Sequence, residues 1–236
     1  MMNGNICYMN GVACIRFKAT LLHREFTPVN IVNHDEWLDG AVQPIELKES
    51  TFSYSKITLK YFVEGVNEKD TLKNISNLIK SHIKSVVTFS DLNYRFNTKL
   101  TGQPTLNHIK DQFYEVTLTL QSDFKLDQDK SITVNSNESI ECKSNVDTPA
   151  KITITSEDNI ENLEITLNDD TYVISSLKNG DVLEINGDDY TIKYNGVDDL
   201  SLVDIWRFPV LKSGSNTITI NKENISVKID YTERFI

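Results

Sequence analysis

The sequence predicts a mainly β protein with one helix, arranged as an α+β N-terminal domain and an antiparallel β-sandwich C-terminal domain, and three observations carry that prediction. Three Asn-Gly pairs, Asn179-Gly180, Asn186-Gly187 and Asn195-Gly196, separate short β-branched and aromatic runs near the C-terminus. Asn-Gly supplies positive φ at both central positions of a tight hairpin turn, so the runs read as a meander. Residues 57–63 and 113–120 alternate apolar and polar side chains, the period of a half-buried strand. A clear helical period occurs once, over about residues 68–84.

Taken in order, the first domain begins with strand-like character at residues 57–63, which Gly65 ends. Asn67 can cap a helix with Asp70 in its first turn, and Leu72, Ile75, Leu78, Ile79 and Ile83 then recur at helical spacing as one apolar stripe facing a sheet. Lys80, His82 and Lys84 crowd its end, where positive charge complements the helix dipole. A strand at residues 85–89, a turn at Asp91-Leu92-Asn93 and a partner strand at 94–100 follow, then the strand at 113–120. Residues 27–44 have no period, hold Pro28 and Pro44, and carry Trp37 beside His34-Asp35-Glu36. They read as a long binding loop.

Composition shifts near residue 130. Residues 1–130 hold 15 acidic and 15 basic side chains, whereas residues 131–236 hold 19 and 9, so the whole net charge of −10 lies in the second part. All four His and eight of the ten Phe lie in the first part. Two domains, 1–130 and 131–236, are expected, with Leu126-Asp127-Gln128-Asp129-Lys130 as a short polar joint. In the second, strands are expected at residues 131–134, 139–143, 150–155, 161–167, 172–175, 181–185, 190–194, 216–221 and 225–231. Nine short strands without a helical period indicate a sandwich or jelly roll.

Several function classes are disfavoured. The acidic excess lacks the basic footprint a phosphate backbone needs, so nucleic acid is not an expected partner. Cys7, Cys14 and Cys142 are odd in number and form no CxxC, which fits free structural thiols with no metal site and no disulfide framework. Residues 1–17 lack the pattern of a signal peptide, and no apolar window is long enough for a membrane helix. The acid pairs Asp169-Asp170, Asp188-Asp189 and Asp198-Asp199 fall in expected turns, where solvation explains them better than glycosidase or calcium chemistry. No GxSxG occurs, and Cys142 lies in a domain without His. No enzyme and no cofactor are expected.

The run from Phe208-Pro209-Val210-Leu211 through Gly214-Ser215-Asn216 to Tyr231-Thr232-Glu233-Arg234-Phe235-Ile236 resembles the ending of the distal tail proteins of long-tailed bacteriophages. Pro209, Leu211, Gly214, Asn216, Tyr231 and Arg234 occupy the places of that family's motif. The strand to Gly65, the helix after Asn67 and the strand ending at Leu120 resemble its ring domain. A Gly-rich segment common in the family is replaced by residues 33–40, which are acidic and carry Trp37. The resemblance implies a short form: a ring-forming domain followed by a galectin-like β-sandwich. It also implies a homo-oligomeric ring, a hexamer or else a trimer, at the end of the tail tube in the virion, assembled in the host cytoplasm. The implied partners are the tail tube protein, the tail-tip hub protein and receptor-binding proteins, with no membrane. Trp37, Phe26 and His34 are the candidate interface residues. The alternative function is a non-catalytic carbohydrate-binding module for cell-wall glycans, using Trp206-Arg207 as a stacking platform. Its position before Phe208-Pro209 favours instead a Trp206 packed into its own domain.

Overall fold

The computed structural model describes residues 6–236, apart from the side chain of Glu49. Residues 1–5, part of the start in which no signal peptide is expected, lie outside the described residues. The chain forms two compact units, Met1–Lys125 with Ile236, and Leu126–Phe235.

The first unit runs β1 (Cys7–Met9), β2 (Val12–Ala13), β3 (Ala19–Thr27), β4 (Ile31–Glu36), β5 (Ile45–Phe52) and β6 (Ser55–Val63). Helix α1 (Glu68–His82), β7 (Lys84–Phe89), β8 (Arg95–Lys110) and β9 (Phe113–Val134) follow. An antiparallel sheet links β3, β6, β9, β8, β7, β1 and β2 in that order. Every second residue of β6, from Ile57 to Val63, is buried, and Val116, Leu118 and Leu120 of β9 join them in the core. This alternation is the one-face burial of an antiparallel sheet. Arg24 on β3 donates to both carboxylate oxygens of Asp91, at 2.6 Å for Nη1, and its guanidinium lies 4.6 Å from the Phe89 ring centre. The outermost strand therefore folds back onto the turn after β7.

The N-cap works as the sequence indicates: the Asn67 side chain accepts from the Asp70 amide at 3.0 Å, and Asp70 reaches back to the Val66 amide at 3.2 Å. Gly65 is required there, because a Cβ would stand 2.6 Å from the Thr71 nitrogen. The buried stripe differs from the expected one. Thr71, Ile75, Leu78 and His82 face the core, while Leu72 and Ile83 are exposed. His82 contributes no charge to the helix end, since burial pushes its pKa down to about 4, and its Nε2 pairs with the Tyr61 hydroxyl at 3.1 Å.

Two further corrections concern loops. Residues 27–44 are not a plain loop: β4 and β5 pair with each other in a separate two-stranded sheet, with register shifts around His34. The run Leu126–Lys130 begins at the boundary between the units but is strand rather than linker, since β9 continues through it to Val134. Residues there are polar because they sit on a strand with partly exposed side chains.

The second unit takes the end of β9, then β10 (Glu138–Cys142), β11 (Thr148–Ser156), β12 (Ile160–Leu167), β13 (Asp170–Leu177) and β14 (Val182–Asn186). Next come β15 (Thr191–Tyr194), β16 (Val197–Asp198), β17 (Val203–Asp204), β18 (Val210–Leu211), β19 (Gly214–Ile220) and β20 (Ile225–Phe235). One sheet orders β16-β15-β14-β11-β20, with β18 also on β11; the other orders β10-β19-β12-β13-β17. The inward residues of both, among them Ile152, Ile154, Ile165, Ile174, Val227 and Ile229, form one apolar core. The nine expected strands are all present, and the two-residue strands β16, β17 and β18 are additions too short to leave a pattern.

The Asn-Gly pairs prove to be three different devices. Only Asn195-Gly196 has positive φ at both residues, 49° and 82°, and joins β15 to β16 directly. At Asn179-Gly180 only the glycine is left-handed, φ 85°, within a turn closed by Asp181 N to Lys178 O at 3.0 Å. Gly187 needs to lack a side chain for a different reason. A Cβ would lie 2.2 Å from the Pro209 carbonyl oxygen, and its amide donates to Ala150 O at 2.9 Å.

Candidate functional site

The C-terminal motif residues are brought together around the β11, β18 and β19 end of the second unit. Pro209 is buried and its carbonyl accepts from the Ala150 amide at 3.0 Å, while Leu211 is fully buried. Gly214, φ 89°, turns the chain into β19. Asn216 is completely buried and uses its amide fully: its oxygen accepts from Lys212 N and Asn168 Nδ2, and its nitrogen donates to the carbonyls of Lys212 and Gly214, all at 2.8–2.9 Å. That satisfies a group which would otherwise be costly to bury. The Arg234 amide donates to Ser144 Oγ at 3.0 Å, and its guanidinium meets Asp188 at 2.6 Å. The Tyr231 hydroxyl points to Glu141 O at 3.4 Å. These contacts hold the strand ends in place beside a small cleft that Tyr231 and Arg234 help to line.

The acid pairs are each engaged locally. Asp169 meets Lys212, Asp188 meets Arg234, Asp189 accepts from Thr191 Oγ1, and Asp199 accepts from the amide and hydroxyl of Ser201, which hold its pKa down. Tyr194 and Asn195 likewise hydrogen-bond Asp181 and, Asn195 foremost, lower its pKa. Among the described residues, no group of three or more His, Cys, Asp or Glu is placed to hold a metal ion, and no helix is long and apolar enough to cross a membrane.

The interface candidates lie in the first unit. Trp37 is 65% exposed just beyond β4. His34 is half-buried and its Nε2 meets Thr51 Oγ1 at 3.0 Å, bracing the β4–β5 pair. Phe26 is engaged within its own unit, stacked on Phe96 at 5.3 Å and edge-on to Phe89 at 5.8 Å. Sequence reasoning singled out Trp37 but missed its setting: Ile31, Val32, Leu38, Val42, Ile45, Leu47 and Phe52 of the same arm are also exposed. The signal for this arm was apolar residues in a segment with no period. Trp206 corrects the packed reading, being 92% exposed beside an exposed Arg207. The β15–β18 segment holds it outward because Ile205 and Phe208, on either side, pack against the core instead.

Residues 143–235 match the family model described as siphovirus-type tail component, C-terminal domain. Among solved structures, the chain is similar to the SPP1 Dit (gp 19.1) protein, described as a paradigm of the hub adsorption apparatus in phages infecting Gram-positive bacteria. That match has a TM-score of 0.81 at 14% identity and covers 98% of this chain and 99% of the other. A chain from the phage p2 baseplate in its activated conformation with Sr aligns at TM-score 0.49 and 10% identity, over 95% of this chain and 97% of that one. No curated protein matches the sequence. Residues 143–235 thus resemble the C-terminal domain of siphovirus-type tail components, and the chain as a whole shares the fold of the SPP1 Dit protein.

Proposed function

We propose that this chain is a structural component of a phage tail tip, forming a homo-oligomeric ring, a hexamer, at the distal end of the tail tube. The observation that carries the reading is the whole-length fold likeness to the SPP1 hub protein. In this role the chain does no catalysis and holds no cofactor; it joins the tube protein to the tail-tip hub and receptor-binding proteins. The charge-balanced first domain, residues 1–130, supplies the contacts between copies, because neutral surfaces stack without mutual repulsion. The acidic second domain, residues 131–236 with its galectin-like sandwich, faces solvent.

The β4–β5 arm supports this assignment. A two-stranded sheet alone is marginally stable in water, and this arm exposes eight large apolar side chains. A neighbouring copy would cover it, with Trp37 as the anchoring aromatic, His34 as its brace and Phe26 at its base. Native mass measurement with negative-stain imaging tests the reading. A six-fold or three-fold ring is the expected result, and a strict monomer at all concentrations overturns it.

A second reading rests on Trp206. An indole this exposed beside Arg207 can stack on a sugar ring, which would make the second domain a carbohydrate-binding module for cell-wall glycans. Titration with cell-wall polysaccharide decides it, with saturable binding lost in Trp206→Ala as the supporting outcome.

A further inference from the structure

A groove of about 840 Å³ lies on the first unit, and its floor is the outward face of β7 and β8. Lys84 and Lys99 stand there as direct cross-strand partners. Leu100 donates its amide to Ile83 O at 3.1 Å in the same register, so the Lys84–Lys99 position falls between ladder hydrogen bonds, where paired side chains are closest. Like charges directly opposite each other destabilise a sheet. Among the described residues neither lysine has an ion-pair partner, and Asp123 across the groove forms none with them. The charged cleft on the second unit differs: there Arg234 pairs with Asp188, Lys228 with Asp230 and Lys151 with Glu184. Lys84 also follows the last turn of α1, whose dipole favours one positive charge there, but Lys99 opposite it has no such partner, so the pair offers positive charge to an anion that arrives from outside.

We propose that this groove binds an extended acidic segment of a partner polypeptide, its carboxylates seated on Lys84 and Lys99. The rest of the lining favours a peptide over a phosphate polymer. Asn10, Asn97 and Gln121 offer amides suited to peptide groups, and the exposed Tyr54 and Val86 offer apolar contact. Asp123 would repel a uniformly anionic polymer but tolerates a chain whose acids are spaced. In an extended segment, alternate residues face one side, so acids at every second position can meet both lysines.

The test uses the full chain and a short end-blocked peptide of alternating Glu and Thr, read by fluorescence anisotropy, with inorganic tripolyphosphate as comparator. Saturable peptide binding that weakens as salt rises is expected, falling about tenfold in Lys84→Gln/Lys99→Gln and unchanged in the remote control Lys69→Gln. The same double variant, free of peptide, should unfold at a higher temperature than the parent chain, because the like-charge pair is gone. No peptide binding, equal loss in the control, or tighter binding of tripolyphosphate than of peptide overturns the proposal. So does a double variant that unfolds at a lower temperature, since the lysines would then be serving the fold.

Discussion

Asn216 shows how much one side chain can carry in this fold. Its buried amide closes four hydrogen bonds between the Lys212–Gly214 corner and Asn168 of the β12–β13 turn. Asn216→Ala would leave two carbonyls and two donors short of partners around a fully buried position, at a cost of about 3 kcal/mol. Urea unfolding should show that loss as a lower midpoint with an unchanged slope. Asn216→Asp should be worse than Ala, since a carboxylate oxygen would face the carbonyls of Lys212 and Gly214. His82 gives a pH-dependent counterpart. Burial holds its folded pKa at about 4 against an ordinary value of 6.5, so the unfolded chain takes up the proton first as pH falls. Stability is therefore fully present above pH 6.5 and declines toward pH 4, by about 3 kcal/mol from this residue alone. Unfolding midpoints of His82→Phe measured across that range should lack this part of the slope. Neither role was legible in the sequence. Asn216 could be placed on a strand, but nothing local says that its partners come from two other turns. His82 looked like a cation at a helix end because the helical stripe was counted in apolar residues, and Thr71 and His82 hold two of its four places.

At the scale of elements, legibility followed one-sided burial. Strands β6, β9, β11 and β20 each bury one face, so their period of two shows directly in the sequence. The β4–β5 arm is exposed on both sides and has no period to read, and the shifts around His34 blur what alternation it has. Its function is proposed from that same exposure. Trp37→Ala should leave the unfolding transition within about 0.5 kcal/mol of the parent, as surface substitutions do, while converting rings to smaller species in light scattering. A ring that persists would remove the arm from the interface. The Asn-Gly turns give a second contrast. Gly187→Ala forces a methyl against the backbone of Pro209 and should cost more than about 2 kcal/mol, whereas Gly180→Ala meets open space and bears only the left-handed strain of roughly 1 to 2 kcal/mol. Thermal unfolding of the two variants side by side separates them. Identical dipeptides in the sequence conceal that difference, because the approach of Pro209 is a tertiary fact.

For the molecule as a whole, the uneven charge is the feature that the sequence states most plainly. The excess of acid over base resides entirely in residues 131–236. If copies meet through the neutral domain, ring formation should depend little on ionic strength, and rings should persist from low salt to about 0.5 M, where surface charges are screened within a few ångströms. Sedimentation across that series checks the point. Assembly that appears only at high salt would mean that acidic domains are being pressed together. The pairing of a charge-balanced part with an acidic one was read from composition alone, but the continuation of β9 through the boundary was not, since Leu126–Lys130 has the polarity of a linker and the geometry of a strand.

The three thiols have a practical consequence. Cys7, Cys14 and Cys142 are all buried and free, and burial pushes the Cys7 thiol up to about 12 and raises that of Cys14. All three sulfurs are shielded from solvent, so the folded chain is nearly silent toward maleimides and disulfide reagents at neutral pH. A single cysteine introduced at Val42, the most exposed apolar position of the arm, would then be the only handle a fluorophore could find. Dye-to-dye quenching at that handle would count neighbours in the assembled particle without disturbing a native residue of the core.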